Sequence, residues 1–274
     1  MVPIFLITLK ESVRKRIVLV ALILTAIFLA LYGTGVHYGY KDMVRHGGEM
    51  KALIAPMFLT LGLYFGSFII AFLAVMTAVG AVSAEVENGT MHAVVTRPVR
   101  RAEIILGKFL GYSFILSLFS ALFYVAVLLI VHYSTGLSVP VKAKAVLLFC
   151  LQSLILLSVT MFGTTFLSTL ANGIGAFMLY SVGVVGGMLE QFGYLAKSQM
   201  LVNIGIVSSL IMPADSVYRK IVYTLSSAPG SIMTLYMGPF GSGAEPSAWM
   251  MAYTVLYVLF FLIIALKIFS RRDI

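Results

Sequence analysis

Apolar positions dominate this chain and come in long unbroken runs, not in the alternation of a half-buried strand or the one-sided stripe of a soluble helix. A helix needs about 20 residues to cross the hydrocarbon core of a bilayer. Six runs reach or approach that length: Ile17–Val36, Met57–Ala84, Ile104–Tyr133, Ala145–Leu170, Gly173–Tyr194 and Trp249–Phe269. A seventh, Met200–Met212, is shorter, is interrupted by Asn203, Gly205, Ser208 and Ser209, and stops at Pro213. It reads as a re-entrant or interfacial helix; as a full span it would carry the C-terminus to the other side. Ahead of the first run, Val2, Leu6, Leu9 and Val13 recur at helical spacing, and Lys10, Glu11, Arg14 and Lys15 lie off that line. This is the pattern of an amphipathic helix lying in the membrane interface. The expected fold is an all-α membrane protein: one transmembrane domain over residues 1–274, six spans, and an N-terminal interfacial helix.

Composition agrees. Hydrophobic residues make up 61% of the chain and charged residues 11%, against about 25% charged in soluble domains; the mean hydropathy is +1.04. The net charge of +9 does not call for nucleic acid, because basic residues beside spans mark cytoplasmic ends and anionic lipid headgroups. With both termini in the cytoplasm, Lys10, Arg14, Lys15, Arg16, Arg97, Arg100, Arg101, Lys108, Lys267, Arg271 and Arg272 lie inside. Lys41, Arg45, Lys51, Lys142, Lys144, Lys197, Arg219 and Lys220 then lie outside. The bias is strongest next to the spans, where "RKR" precedes the first and "RR" follows the last. Cys150 is the single cysteine, which excludes an internal disulfide and any CxxC metal or redox site. The start of the chain lacks the order of basic, apolar and small residues that marks a signal peptide.

One stretch breaks the apolar pattern. "SAEVENGTMHAVVTRPVRRAEI", Ser83 to Ile104, carries three acids and three arginines between two long hydrophobic runs. Asn88-Gly89 suits the left-handed conformation that ends a helix. Thr90 is placed to cap a short helix over Met91–Thr96, which includes Val94 and Val95. Pro98 keeps Arg97 from continuing it, and Glu103 falls in the first turn of the third span, where the helix dipole favours an acid. The order is span, tight turn, short helix, turn, span: a lever held between two long helices. "NGT" at 88–90 is formally a glycosylation sequon, which a cytoplasmic location disqualifies.

The same stretch resembles the signature of ABC-2 type transporter permeases, the transmembrane subunits of type V ABC transporters. The matching positions are Glu85, Glu87, Gly89, Thr90, Pro98, Arg101, Glu103, Gly107 and Lys108. "LKESVRKR" near the N-terminus, "SSLIMPADSVYR" late in the chain and "FSRRDI" at its end resemble further family segments in the same order. Arg100 stands where many members have Ser or Thr, so the capping box with Glu103 is lost. The resemblance implies that the short helix, with Met91, Val94, Val95, Arg100 and Arg101, docks on a separate ATPase subunit present in two copies. ATP and magnesium would sit in that partner, and this chain would bind no cofactor. It has no G-x-x-x-x-G-K-S/T phosphate loop; Gly107-Lys108 is followed by Phe109 and lacks the earlier glycine. Six spans imply a second copy of the chain or a related permease in the cytoplasmic membrane. One branch of the family is linked to maturation of multicopper enzymes, and in a variant role the complex works mechanically on an extracytoplasmic or membrane partner and exports nothing.

Other residues invite functional readings. Glu190 is the acid nearest a membrane interior, where ionisable groups mark function by default; it is a weak substrate or proton candidate near the outer end of its span. Gln152 and Asn203 read as interhelical hydrogen-bond donors and acceptors. Gly62/Gly66 and Gly107/Gly111 are spaced as close-packing faces. His37, His46 and His132 with Met233 and Met237 are soft ligands suited to copper, but ordinary packing accounts for residues scattered over three loops. A secondary carrier would need intramembrane charges and repeated halves, and an intramembrane enzyme paired catalytic groups. The sequence shows neither pattern, and the carrier remains the alternative.

Overall fold

The computed structural model describes residues 2–14, 16–46, 51–87, 101–136, 141–225 and 245–271. Among them every regular element is an α-helix. In order they are α1 (Val2–Arg14), α2 (Arg16–His46), α3 (Lys51–Ala78), α4 (Ser83–Glu87), α5 (Arg101–Thr135), α6 (Ala143–Gly163), α7 (Thr169–Leu195), α8 (Gln199–Ile211), α9 (Ala214–Leu225) and α10 (Ala248–Arg271). Only helices and closed barrels satisfy their backbone inside a bilayer. Six of these helices are long and apolar enough to cross one: α2, α3 with its continuation, α5, α6, α7 and α10. The pair α8 and α9 meets the same test of apolar length, but turns by 108° between its halves.

Several hydroxyls on the apolar helices are satisfied within the helix itself. Thr25 donates to the Ala21 carbonyl, Ser67 to Leu63, Thr77 to Leu73 and Ser113 to Phe109, at 2.7–3.0 Å. This bonding to the carbonyl one turn back removes the cost of carrying Ser and Thr in hydrocarbon.

The fourth span, α6, lies at the centre, packed by α3, α5, α7, α9 and α10. The second and fourth spans are the most enclosed, and the first and sixth the most open. Gly62 and Gly66 behave as the sequence anticipates. A Cβ at Gly62 would meet Tyr32 of α2 and Val127 of α5, and one at Gly66 would lie 2.1 Å from the Phe123 ring. Gly111 of α5 gives way to α1, with Thr8 2.8 Å from the would-be Cβ. Gln152 accepts from Ser67 across α6 and α3 at 3.1 Å, as expected. Asn203 does not bridge helices: it is exposed and accepts from Gln199 on its own helix at 3.2 Å.

Two boundaries depart from the sequence reading. The second apolar run does not stay helical to residue 84; α3 ends at Ala78 and α4 begins at Ser83. The fourth run breaks after Gly163, before Leu170, and the fifth helix starts at Thr169. Both breaks are held by polar side chains from distant helices. The first and fifth spans, α2 and α7, also extend beyond their apolar runs, to His46 and Leu195.

The tightest pairing is α7 against α8. A Cβ at Gly183 would lie 2.8 Å from the Met212 carbonyl oxygen, and one at Gly193 2.7 Å from the Val202 nitrogen. From the other side, a Cβ at Gly205 would meet the Glu190 Cβ at 2.3 Å and the Gly186 carbonyl at 2.7 Å. Glycines let the two backbones approach where van der Waals packing is the main attraction. Gly205→Ala is therefore expected to cost about 1–3 kcal/mol as an overpacking change. Gly175→Ala on α7, where a Cβ meets nothing within 4 Å, should be neutral or stabilise by up to about 1 kcal/mol through helix propensity. Thermal unfolding of the two variants in detergent compares them directly.

Candidate functional site

Two polar clusters sit at opposite ends of the bundle. The first surrounds the break between α3 and α4, at the end where the chain leaves Glu87 for the charged patch. The Val82 and Ser83 amides both donate to Thr164 Oγ1, at 3.2 and 3.0 Å. Thr164 donates in turn to Ser83 Oγ at 3.2 Å, and the Ser83 and Thr169 hydroxyls lie 2.8 Å apart. Asn172 Nδ2 donates to the carbonyls of Val79 and Thr160, each at 3.0 Å. These bonds supply the partners that the interrupted helices lose, and buried backbone groups need such partners. Gly163 makes room for Asn172, since a Cβ there would lie 2.0 Å from its Oδ1.

Charge continues the same web. Lys108 of α5 is buried, pairs with Glu85 of α4 at 2.5 Å, and donates to the Ala81 carbonyl. Glu87 accepts from the Thr169 amide at 3.0 Å and from the Thr169 hydroxyl at 3.2 Å. Ser168, at the N-cap of α7, makes no side-chain cap, so a carboxylate from another helix caps α7 instead. Acids at a helix N-terminus are favoured by its unpaired amides and dipole. Glu87 also lies at one end of an open, mainly apolar groove of about 1060 Å³, walled by Met76, Gly173, Ile174 and Phe177.

Of the patch residues, Glu85, Glu87, Arg101, Glu103, Gly107 and Lys108 are therefore placed. Glu103 stands in the first turn of α5, and Gly107 is buried in that helix. Gly89, Thr90, Met91, Val94, Val95, Pro98 and Arg100 lie outside the described residues. Ser83, Thr164, Thr169 and Asn172 are the parts of the web that the sequence reading passed over. For Thr164, Thr169 and Asn172 the signal was the hydroxyl-rich "GTTFLSTLANG", which crosses from the fourth apolar run to the fifth.

The second cluster lies at the far end, where α7 meets α9. Arg219 Nη1 pairs with Glu190 at 2.7 Å, its Nε with Asp215 at 3.0 Å, and its Nη2 donates to Ser209 Oγ at 3.0 Å. Glu190, Asp215, Ser209 and Arg219 are all buried. The sequence placed Glu190 near the outer end of its span and Arg219 among the outer basic residues; the two are buried together as a pair, since a buried charge needs a partner. Asp215 lies against Gly187, whose Cβ would sit 1.7 Å from its carboxylate. Beyond this cluster, Lys220 binds Glu245 and the Pro246 carbonyl. The Lys220 and Tyr223 side chains hold the exposed Glu245 carboxyl below its ordinary range. Lys142 donates to the Thr224 carbonyl near the end of α9, and Tyr218 donates to the Thr60 carbonyl of α3 at 2.9 Å.

The profile of the family described as ABC-2 family transporter protein matches residues 2–274. The chain belongs to the ABC-2 transporter family. It is thus a multi-pass membrane protein and a permease-type subunit of an ABC transporter. No curated protein matches its sequence. In this ABC-2 protein no group of three or more His, Cys, Asp or Glu side chains among the described residues could hold a metal ion; His37 meets Tyr38 edge-on and His132 lies tilted against Tyr133. The side chains of His46, Met233 and Met237 are outside the description.

Removing Arg219 tests the far cluster. Arg219→Met leaves two buried carboxylates unpaired, and breaking such a group costs about 3–5 kcal/mol. Adding Glu190→Gln and Asp215→Asn is expected to recover most of that loss, measured as thermal unfolding of the detergent-solubilised protein.

Proposed function

We propose that this chain is the transmembrane subunit through which a separate ABC ATPase drives transport. The ATPase, in two copies, docks on the charged patch, Ser83 to Ile104, and carries the ATP and magnesium. Two such permeases, identical or related, form the membrane pore. Both termini and the patch face the cytoplasm, the 1–274 chain acts as one transmembrane domain, and the bent pair α8–α9 re-enters from the outer side. The substrate moves outward, or the closure does mechanical work on an extracytoplasmic partner.

The observation that carries this reading is the web at Ser83–Glu87. The first residues of the patch are fastened to α5 through Lys108, to the end of α6 through Thr164, and to the start of α7 through Thr169. A displacement of the patch therefore moves the ends of four spans together. Bistable packed elements convert small shifts of this kind into discrete rearrangements. Arg101, Glu103 and Gly107 continue the patch into α5, so the lever is rooted on both sides.

The test is affinity purification of the tagged chain from its own membranes. An ABC ATPase is expected to co-purify. A chain with Gly89–Pro98 scrambled should lose it, and retention at the wild-type level overturns the docking proposal. Lys108→Met should keep the ATPase bound while lowering coupled ATP turnover at least about 5-fold, the scale of a 1 kcal/mol coupling term.

A further inference from the structure

Hydroxyls of the bundle find their partners by two main routes. Tyr32, Tyr218, Tyr253 and Tyr257 each reach a backbone carbonyl of another helix, those of Phe58, Thr60, Leu210 and Ile211, at 2.6–2.9 Å. Thr25, Ser67, Thr77 and Ser113 donate one turn back along their own helix. Ser120 and Tyr124 of α5 do neither. Both are 0% exposed, and neither Ser120 Oγ nor the Tyr124 hydroxyl has a hydrogen-bond partner among the described residues. A buried polar group in this state is the exception that calls for an occupant, because an unbonded hydroxyl in an apolar interior is costly.

The two residues stand one turn apart near the middle of the 35-residue α5. At that spacing they share one helix face, with their Cβ atoms about 5–6 Å apart. Helical side chains lean toward the N-terminus, which carries the Tyr124 phenol back over the turn that bears Ser120. This face looks onto α6. The Tyr124 ring centroid lies 6.2 Å from that of Phe149, and the Cys150 thiol donates to the Ser117 carbonyl at 3.4 Å. Phe149 is fully buried as well, so neither bulk water nor a lipid headgroup reaches the pair.

We infer that α5 and α6 enclose a site for one water molecule, held by Ser120 Oγ and the Tyr124 hydroxyl. The two hydroxyls are neighbours yet do not bond each other, and one water spans such a gap, donating to one and accepting from the other. Buried waters typically make about 2–4 bonds to groups of this kind. Both holders are neutral, so the site selects a neutral occupant, and complete burial limits its size. A tyrosine hydroxyl cannot turn back to its own helix ladder, so Tyr124 has no internal alternative. Ser120 has one in the Leu116 carbonyl, and facing away from it is what a shared water requires. The site lies mid-span, away from the charged patch, and its test does not depend on ATPase docking.

The test is an experimental structure of the full chain in nanodiscs, at a resolution that shows ordered water, together with a thermal double-mutant cycle. Density for one water at about 2.7–3.2 Å from both oxygens is expected. Ser120→Ala and Tyr124→Phe should each lower the melting temperature by about 2–4 °C, the scale of one hydrogen bond in a chain near this size. The double variant should fall no further than the lower single one, because either change removes the shared bridge. A single variant that melts at or above the wild-type temperature marks hydroxyls without a bridge. Losses that simply add mark two separate partners. Either result overturns the proposal, as does clear density with no water touching both oxygens, a readout on the wild-type chain that stands even if a variant fails to fold.

Discussion

Inside a bilayer no water is at hand to take up a stray amide, carbonyl or charge, so every polar group must find its partner in the protein. The architecture follows from where that condition is hard to meet. Along the spans it is met locally, by the helix ladder and by hydroxyls bonded one turn back. At the breaks it cannot be met locally. The turn after α3 leaves the Val79 carbonyl and the Val82 and Ser83 amides without helical partners, and Asn172 and Thr164 supply them. The turn exists because two other helices end beside it.

The far end solves the same problem with charge and with absence of side chains. Gly183, Gly186, Gly187 and Gly193 of α7 let α8 and the start of α9 come close enough for Arg219 to reach both Glu190 and Asp215. The glycines and the ion cluster are one device: the first creates the proximity and the second fixes the register. Tyr218 and Lys142 then bind this folded-back unit to α3 and to the start of α6.

Much of this was legible in the sequence. Uninterrupted apolar length identifies the six spans without tertiary information, because solvation by lipid alone selects those helices. Gly62 and Gly66 were readable as a packing face, and Gln152 as an interhelical link, since few other uses exist for such residues in hydrocarbon. Glu85, Glu87 and Lys108 stood out individually, but not their connections. The break at 79–82 was hidden because Val79-Gly80-Ala81-Val82 is apolar and compatible with a helix; its cause is a hydroxyl about 80 residues away. Arg219 was read as an outer basic residue and Glu190 as an acid near the outer end of its span, while their pairing depends on the close approach of α7 and α9, which spacing along the chain does not encode.

The capping of α7 by Glu87 has a consequence for the fifth span. The first turn of a 27-residue helix is completed by a side chain that belongs to the edge of the charged patch. Withdrawing that carboxylate by a few ångströms would free the Thr169 amide and leave its hydroxyl to Ser83 alone, loosening the first turn of the fifth span while its middle stays clamped by glycine contacts. The start of that span is thus completed from outside its own chain segment, by a carboxylate 82 residues away.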